Sequence, residues 1–131
     1  MKYMIMIYGN PANWGHPSFL RTPAAAALSG TEQDQLTEQF AQLMGEIHES
    51  GELVGTEALA DPVTTKTVRV HGGLPVATDG PYLEAKEQLA GYFVVDCESQ
   101  DRVLEIAARF PNALFGAVEV RPVMDMSRRE L

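Results

Sequence analysis

Cysteine is almost missing: Cys97 stands alone in 131 residues, which rules out an intrachain disulfide and a thiolate metal cluster. Positive charge is also scarce. Ten Lys and Arg face eighteen Asp and Glu, a net charge of −8, so the basic footprint that nucleic acid or an anionic membrane requires is lacking. No stretch approaches the ~20 consecutive apolar residues of a spanning helix. The first apolar run, Tyr3–Tyr8, is too short for a secretory leader and leads into Gly and Pro rather than a cleavage pattern. There is no His-x-x-x-His, no Gly-rich phosphate loop and no Gly-x-Ser-x-Gly elbow. These absences predict a cytoplasmic protein without cofactor or metal, with neither nucleic acid nor membrane as partner.

What remains is globular in composition, 45% hydrophobic and 21% charged, and its length predicts one domain over residues 1–131. Residues 2–8 read as a strand apolar on both faces, with Tyr3, Ile5 and Ile7 on one and Met4, Met6 and Tyr8 on the other. Residues 9–30 read as a long connection in which Trp14 and Phe19 either close over a cleft or pin the loop down. Thr31 is expected to cap a helix whose Leu36, Phe40, Leu43, Met44 and Ile47 form one apolar stripe, stopped by Gly51. A strand over residues 52–59 follows. Residues 65–78 alternate like a hairpin turning at Gly72-Gly73. Residues 90–96 form a strand, and Ser99 caps a second helix that Pro111 closes. Residues 117–123 form the last strand, and the tail with Arg128, Arg129 and Glu130 is expected to fray.

Strand, helix, strand, hairpin, strand, helix, strand is the ferredoxin-like β-α-β-β-α-β pattern with an added hairpin, an α+β fold. Two helices cover one sheet face only. The apolar second face predicts a homodimer.

One stretch concentrates charge beside stiffness. Asp79-Gly80-Pro81-Tyr82-Leu83-Glu84-Ala85-Lys86-Glu87-Gln88 places three carboxylates and a lysine between a Gly-Pro turn and the buried strand Gly91–Val95. Gly80, preceding proline, is expected to be extended, and Asp79 to accept N–H groups of the turn. If 82–88 is a helical turn, Glu84 and Glu87 share a face; if it is extended, Glu84 and Lys86 do. Crowded, partly desolvated carboxylates shift pKa values toward general acid/base use. The competing reading is a capped turn with solvated charges. Arg69, on the polar face of the hairpin, has the fork to hold a ligand's carboxylate or phenolate. Glu119 and Arg121 either line the same cleft or pair across strands. His16 has most freedom to enter a cleft; His48 sits at a helix end and His71 near a turn.

Asp79-Gly80-Pro81-Tyr82, Glu84, Lys86-Glu87-Gln88-Leu89 and Gly91-Tyr92 closely resemble the signature of the YCII-related, or DGPF-motif, proteins. Lys2-Tyr3-Met4, Thr67-Val68-Arg69, Ala107–Pro111 and Val118–Pro122 also look like blocks of that family. Tyr82 stands where Phe is usual, Ala85 where Thr is common, and Ala90 where a second Gly often precedes the strand. The resemblance implies a dimeric α+β barrel. It also implies an unknown small-molecule ligand in a cleft bordered by the Asp-Gly-Pro segment. Asp79 and Glu84 are the expected catalytic residues, and Arg69, Lys86, Glu87 and Tyr82 the expected ligand contacts. Relatives in the wider superfamily include dehydrochlorinases and isomerases, which points to cofactor-independent acid/base chemistry. The His-Asp pair ascribed to such enzymes has no histidine match in this chain. The alternative is a ligand-binding or regulatory module tied to sigma-factor signalling, without catalysis.

Overall fold

The computed structural model describes residues 1–15 and 22–127. Strand β1 (Lys2–Gly9) forms the spine. Helix α1 (Pro23–Ala26) is a single turn, and α2 (Gly30–Glu49) is the long helix. After β2 (Leu53–Ala58) come the hairpin strands β3 (Lys66–His71) and β4 (Leu74–Asp79), then β5 (Gln88–Asp96). Helices α3 (Gln100–Ala108) and α4 (Pro111–Phe115) precede β6 (Val118–Pro122). The main sheet runs β2-β5-β1-β6 with antiparallel pairs throughout, and β3-β4 form a separate two-stranded sheet. This is the ferredoxin-like arrangement with an inserted hairpin. The sheet stays open and no barrel is closed within the chain.

Alternation along β1 sorts its side chains as expected. Tyr3, Ile5 and Ile7 are buried, whereas Met4, Met6 and Tyr8 are half-buried on the far face. The buried row packs on Leu43 and Ile47 of α2 and on Val103 and Ile106 of α3. Phe40, Phe93 and Phe110 join edge to face, with centroids 4.9 to 6.2 Å apart, and lock both helices onto β5. Arg109, just past α3, grips Glu46 of α2 through two hydrogen bonds of 2.6 and 3.0 Å. Arg102 does the same for Glu52 at 2.8 and 2.9 Å. That pairing, above all the hydrogen bonds from Arg102, holds the Glu52 carboxyl down at about 2.

Three expectations are corrected. The long helix is capped by Ser29, not Thr31. Ser29-Gly30-Thr31-Glu32 is a capping box in which Ser29 Oγ accepts the Glu32 N–H and Glu32 accepts the Ser29 N–H, both at 3.1 Å. The reciprocal pair satisfies two end groups where Thr31 would satisfy one. Pro111 opens a helix instead of only closing one. α3 ends at Ala108, and Pro111 takes the first position of α4, where a missing N–H costs nothing. Gly80 is not extended: its φ is 93°, a region open to glycine but strained for other residues.

The long connection is partly structured. Asn10 caps a turn of 3-10 helix over Pro11–Asn13, and Thr22 caps α1. Trp14 packs on the core edge against Gly9, where an added Cβ would meet the indole at 3.0 Å. The aromatic anchor is thus Trp14. Phe19, His16 and the tail residues Arg128, Arg129 and Glu130 lie outside the described residues.

Candidate functional site

Antiparallel pairing decides what gathers at the C-terminal end of β1. There Tyr8 and Gly9 lie opposite Leu89 and Gln88 at the start of β5, and Ile7 opposite Val118 at the start of β6. Chain ends that are remote in sequence therefore meet at one end of the sheet. Between Ile7 and Tyr8 the register slips, so that Ala90 has no partner on β1. On its other side Ala90 continues the β2–β5 ladder, its carbonyl accepting the Leu59 N–H at 2.7 Å.

The result is a cavity of about 860 Å³. Tyr8, Asn13, Lys86, Glu87, Asn112 and Glu119 are among the residues that line it. Glu119 lies opposite Met6 in the β1–β6 register and so shares the open sheet face with Tyr8, two residues on. The Tyr8 hydroxyl donates to Met6 Sδ at 3.8 Å. The nearby Glu119 carboxylate, chiefly as a potential hydrogen-bond acceptor, raises the Tyr8 pKa above its ordinary value, and burial and the glutamate charge add to this against a weaker pull from Arg121. The phenol stays protonated at neutral pH. A neutral donor near a carboxylate, with a lysine lining the same cavity, has the parts for proton transfer and for holding an anionic group.

The segment 79–88 is thus divided. Lys86 and Glu87 line the cavity. Asp79 lies opposite Lys66 in the hairpin register and pairs with it at a site where the Asp79 side chain is 85% exposed. Gly80 closes the open end of the hairpin on itself: its N–H donates to the Thr65 carbonyl at 2.8 Å and its carbonyl accepts from Thr67 Oγ1 at 2.7 Å. Tyr82 lies under the Arg69 guanidinium, 5.1 Å from the ring centroid. With Leu59, Pro62, Pro81, Leu83 and Leu89 it lines a second, mostly apolar groove of about 540 Å³. Glu84 is exposed between the two. The stretch itself is neither a helical turn nor a strand. Gln88 Nε2 donates to the carbonyls of Leu83 and Ala85, at 2.9 and 3.1 Å, and holds the loop in shape. Asp79 and Arg69 are accordingly engaged on the hairpin side, whereas Lys86 and Glu87 line the same cavity as Tyr8 and Glu119.

Sequence reasoning weighed Glu119 for a cleft but left Tyr8, Asn13 and Asn112 unassigned. Tyr8 had a signal: a phenol at the end of an otherwise apolar strand, just before Gly-Asn-Pro. The two asparagines had none, because only the fold brings positions 13 and 112 together. Among the described residues no group of three or more His, Cys, Asp or Glu is placed to hold a metal ion. Nor is any helix among them long and apolar enough to cross a membrane.

An open ferredoxin-like sheet with a cleft at the end of its first strand defines a small α+β fold. The chain belongs to the YCII-related family: the model of the YCII-related domain matches residues 1–127. It is also similar to an uncharacterised protein of Rhizobium meliloti (strain 1021). The two are 32% identical over 100 residues, covering 75% of this chain and 81% of the relative.

Proposed function

We propose that the protein binds a small polar molecule in the cleft at the end of β1 and acts on it by acid/base chemistry without a cofactor. The observation that carries this reading is that Lys86, Glu87, Tyr8 and Glu119 line one cavity of about 860 Å³, with Glu119 near enough to raise the Tyr8 pKa. In this reading Glu119 is the base, Tyr8 the neutral hydrogen-bond donor, and Lys86 the counter-charge for an anionic ligand group. Glu87 lines the same cavity. Asp79 shapes the hairpin root through Lys66, and Glu84 is free to reach either surface.

The protein works as a homodimer through its open sheet face. Met4, Met6, Tyr92 and Val94 are half-buried there, between Glu57 on β2 and Glu119 and Arg121 on β6. A permanent contact of this kind would bury more than about 2,000 Å² in total, and it would close the open side of the cleft next to Tyr8. Sedimentation should show a dimer at micromolar concentration, and Val94→Asp should give monomers.

A thermal-shift screen of small acids, phenols and lactones tests the ligand class, because a molecule bound only by the folded state raises the midpoint. Glu119→Gln and Tyr8→Phe should each lower turnover of a hit about 10²-fold or more with the fold intact. Lys86→Met should weaken binding first. Asp79→Asn and Glu84→Gln belong in the same assay. If they abolish turnover while Glu119→Gln does not, the base lies on the hairpin side. A second reading, a binding or regulatory module without catalysis, draws on the apolar groove at the hairpin root; ligands that stabilise the protein and are never converted would favour it.

A further inference from the structure

We propose that Gln88 is the positioning residue of the cavity at the end of β1: its carboxamide latches the loop that presents Lys86 and Glu87 to a ligand. The inference rests on the reading of that cavity as a ligand site. Gln88 does not itself line the cavity; it lines the apolar groove with Leu83 and Leu89. Its backbone is fixed, because Gln88 opens β5 opposite Gly9, in the last β1–β5 pair. From that anchor Nε2 donates to the carbonyls of Leu83 at 2.9 Å and Ala85 at 3.1 Å, both behind it in the chain. The bond to Ala85 closes a ring of chain that holds Lys86 and Glu87 within it.

The stretch has no regular structure to hold it. Residues 82–87 are all exposed and belong to no helix or strand. A bond from the Ala85 N–H to the Leu83 carbonyl at 3.1 Å tightens the same turn. Among the described residues Lys86 and Glu87 form no ion pair, so their own charges do not fix where they point. A lysine free to swing through solvent must be ordered when an anion binds, and that cost is subtracted from affinity. A loop already held in shape lowers the cost. Gln88 therefore acts through Lys86 and Glu87. Tyr82, Leu83 and Gln88 line the groove while Lys86 and Glu87 line the cavity, so both surfaces belong to one latched loop.

Gln88→Met in the full-length chain keeps the length of the side chain and removes the donor. Backbone amide order parameters at Lys86 and Glu87, measured by NMR, should be about 0.85 in the wild-type protein and below about 0.6 in this variant, with β1 and β5 unchanged. Gln88→Glu is a second probe of the same length. Ionised, it cannot donate. Below about pH 4 its carboxyl is protonated and can donate once, so its loop should order again there, whereas that of Gln88→Met should not. Benzoate serves as the anionic probe at neutral pH. Gln88→Met should bind it at least about five-fold more weakly, with an unchanged circular dichroism spectrum. Thr67→Val, which loses a hydrogen bond of the hairpin, should keep benzoate affinity within about two-fold. Equal order parameters in the wild-type and Gln88→Met proteins, or no recovery of Gln88→Glu at low pH, overturn the latch. Equal losses of affinity from Gln88→Met and Thr67→Val overturn Gln88 as a positioning residue. If the wild-type protein does not bind benzoate while the order parameters behave as expected, the anion-binding reading of the cavity fails and the latch stands.

Discussion

The four-stranded sheet and the two-stranded hairpin are built from similar residues, yet they differ in what holds them. In the sheet, Ile5 and Val95 are fully buried beneath two helices, and a Phe40–Phe93–Phe110 cluster ties the layers together. In the hairpin, Val68, Val70 and Leu74 have the same chemistry and no cover. β-propensity therefore places both, but only burial stabilises the first. The difference teaches where function can reside. The sheet is the packed frame that carries Tyr8 and Glu119, and the hairpin is a separate, exposed two-stranded unit.

The largest expected effect breaks the frame. Phe110→Ala removes the shared ring of the cluster and should cost about 3–5 kcal/mol in denaturant unfolding. Val70→Ala measured in the same way should leave the body of the protein unchanged within about 0.5 kcal/mol, apart from any loss of self-association.

The next effect concerns pH. Glu52 is held at about 2 against an ordinary 4.5, chiefly by its hydrogen bonds to Arg102. Its folded value is lowered, so the stability it contributes is present above about 4.5 and drains away as pH falls toward about 2. The loss should be roughly 2 kcal/mol. Glu52→Gln should flatten this part of the stability profile, and a slope that survives the substitution would assign it to other carboxylates.

A smaller effect sharpens the contrast. Thr67→Val removes the hydroxyl bonded to the Gly80 carbonyl and should cost about 1 kcal/mol. Hydrogen exchange should show the β3–β4 amides opening earlier, with β1 and β5 still protected. Lys66→Ala, which breaks an exposed pair with Asp79, should change stability by less than about 1 kcal/mol. A larger loss would mean that the pair is covered in the working assembly.

Much of this was legible along the chain. The alternation of Tyr3, Ile5 and Ile7, the helical stripe ending at Ile47, and the Gly72-Gly73 turn are local patterns with periods that sequence displays directly. Helix starts were less legible, because Ser29 and Thr31 are both good caps and Glu32 decides between them through geometry. The candidate site was only half legible. Charge density drew attention to residues 79–88, and Lys86 and Glu87 do line a cleft. That Asp79 turns instead to Lys66 depends on hairpin register, which fixes partners thirteen residues apart.

By itself the sequence determined the strands, the two long helices and their order, the two apolar faces of β1 and the membership of the family, but not the short helices α1 and α4, since the former rest on short-range pattern and motif. Only the tertiary structure decided that Tyr8, Lys86, Asn112 and Glu119 share one cavity while Asp79 and Arg69 do not line it. The physical reason is that antiparallel pairing and the bulge at Ala90 bring together chain ends whose separation no local periodicity encodes.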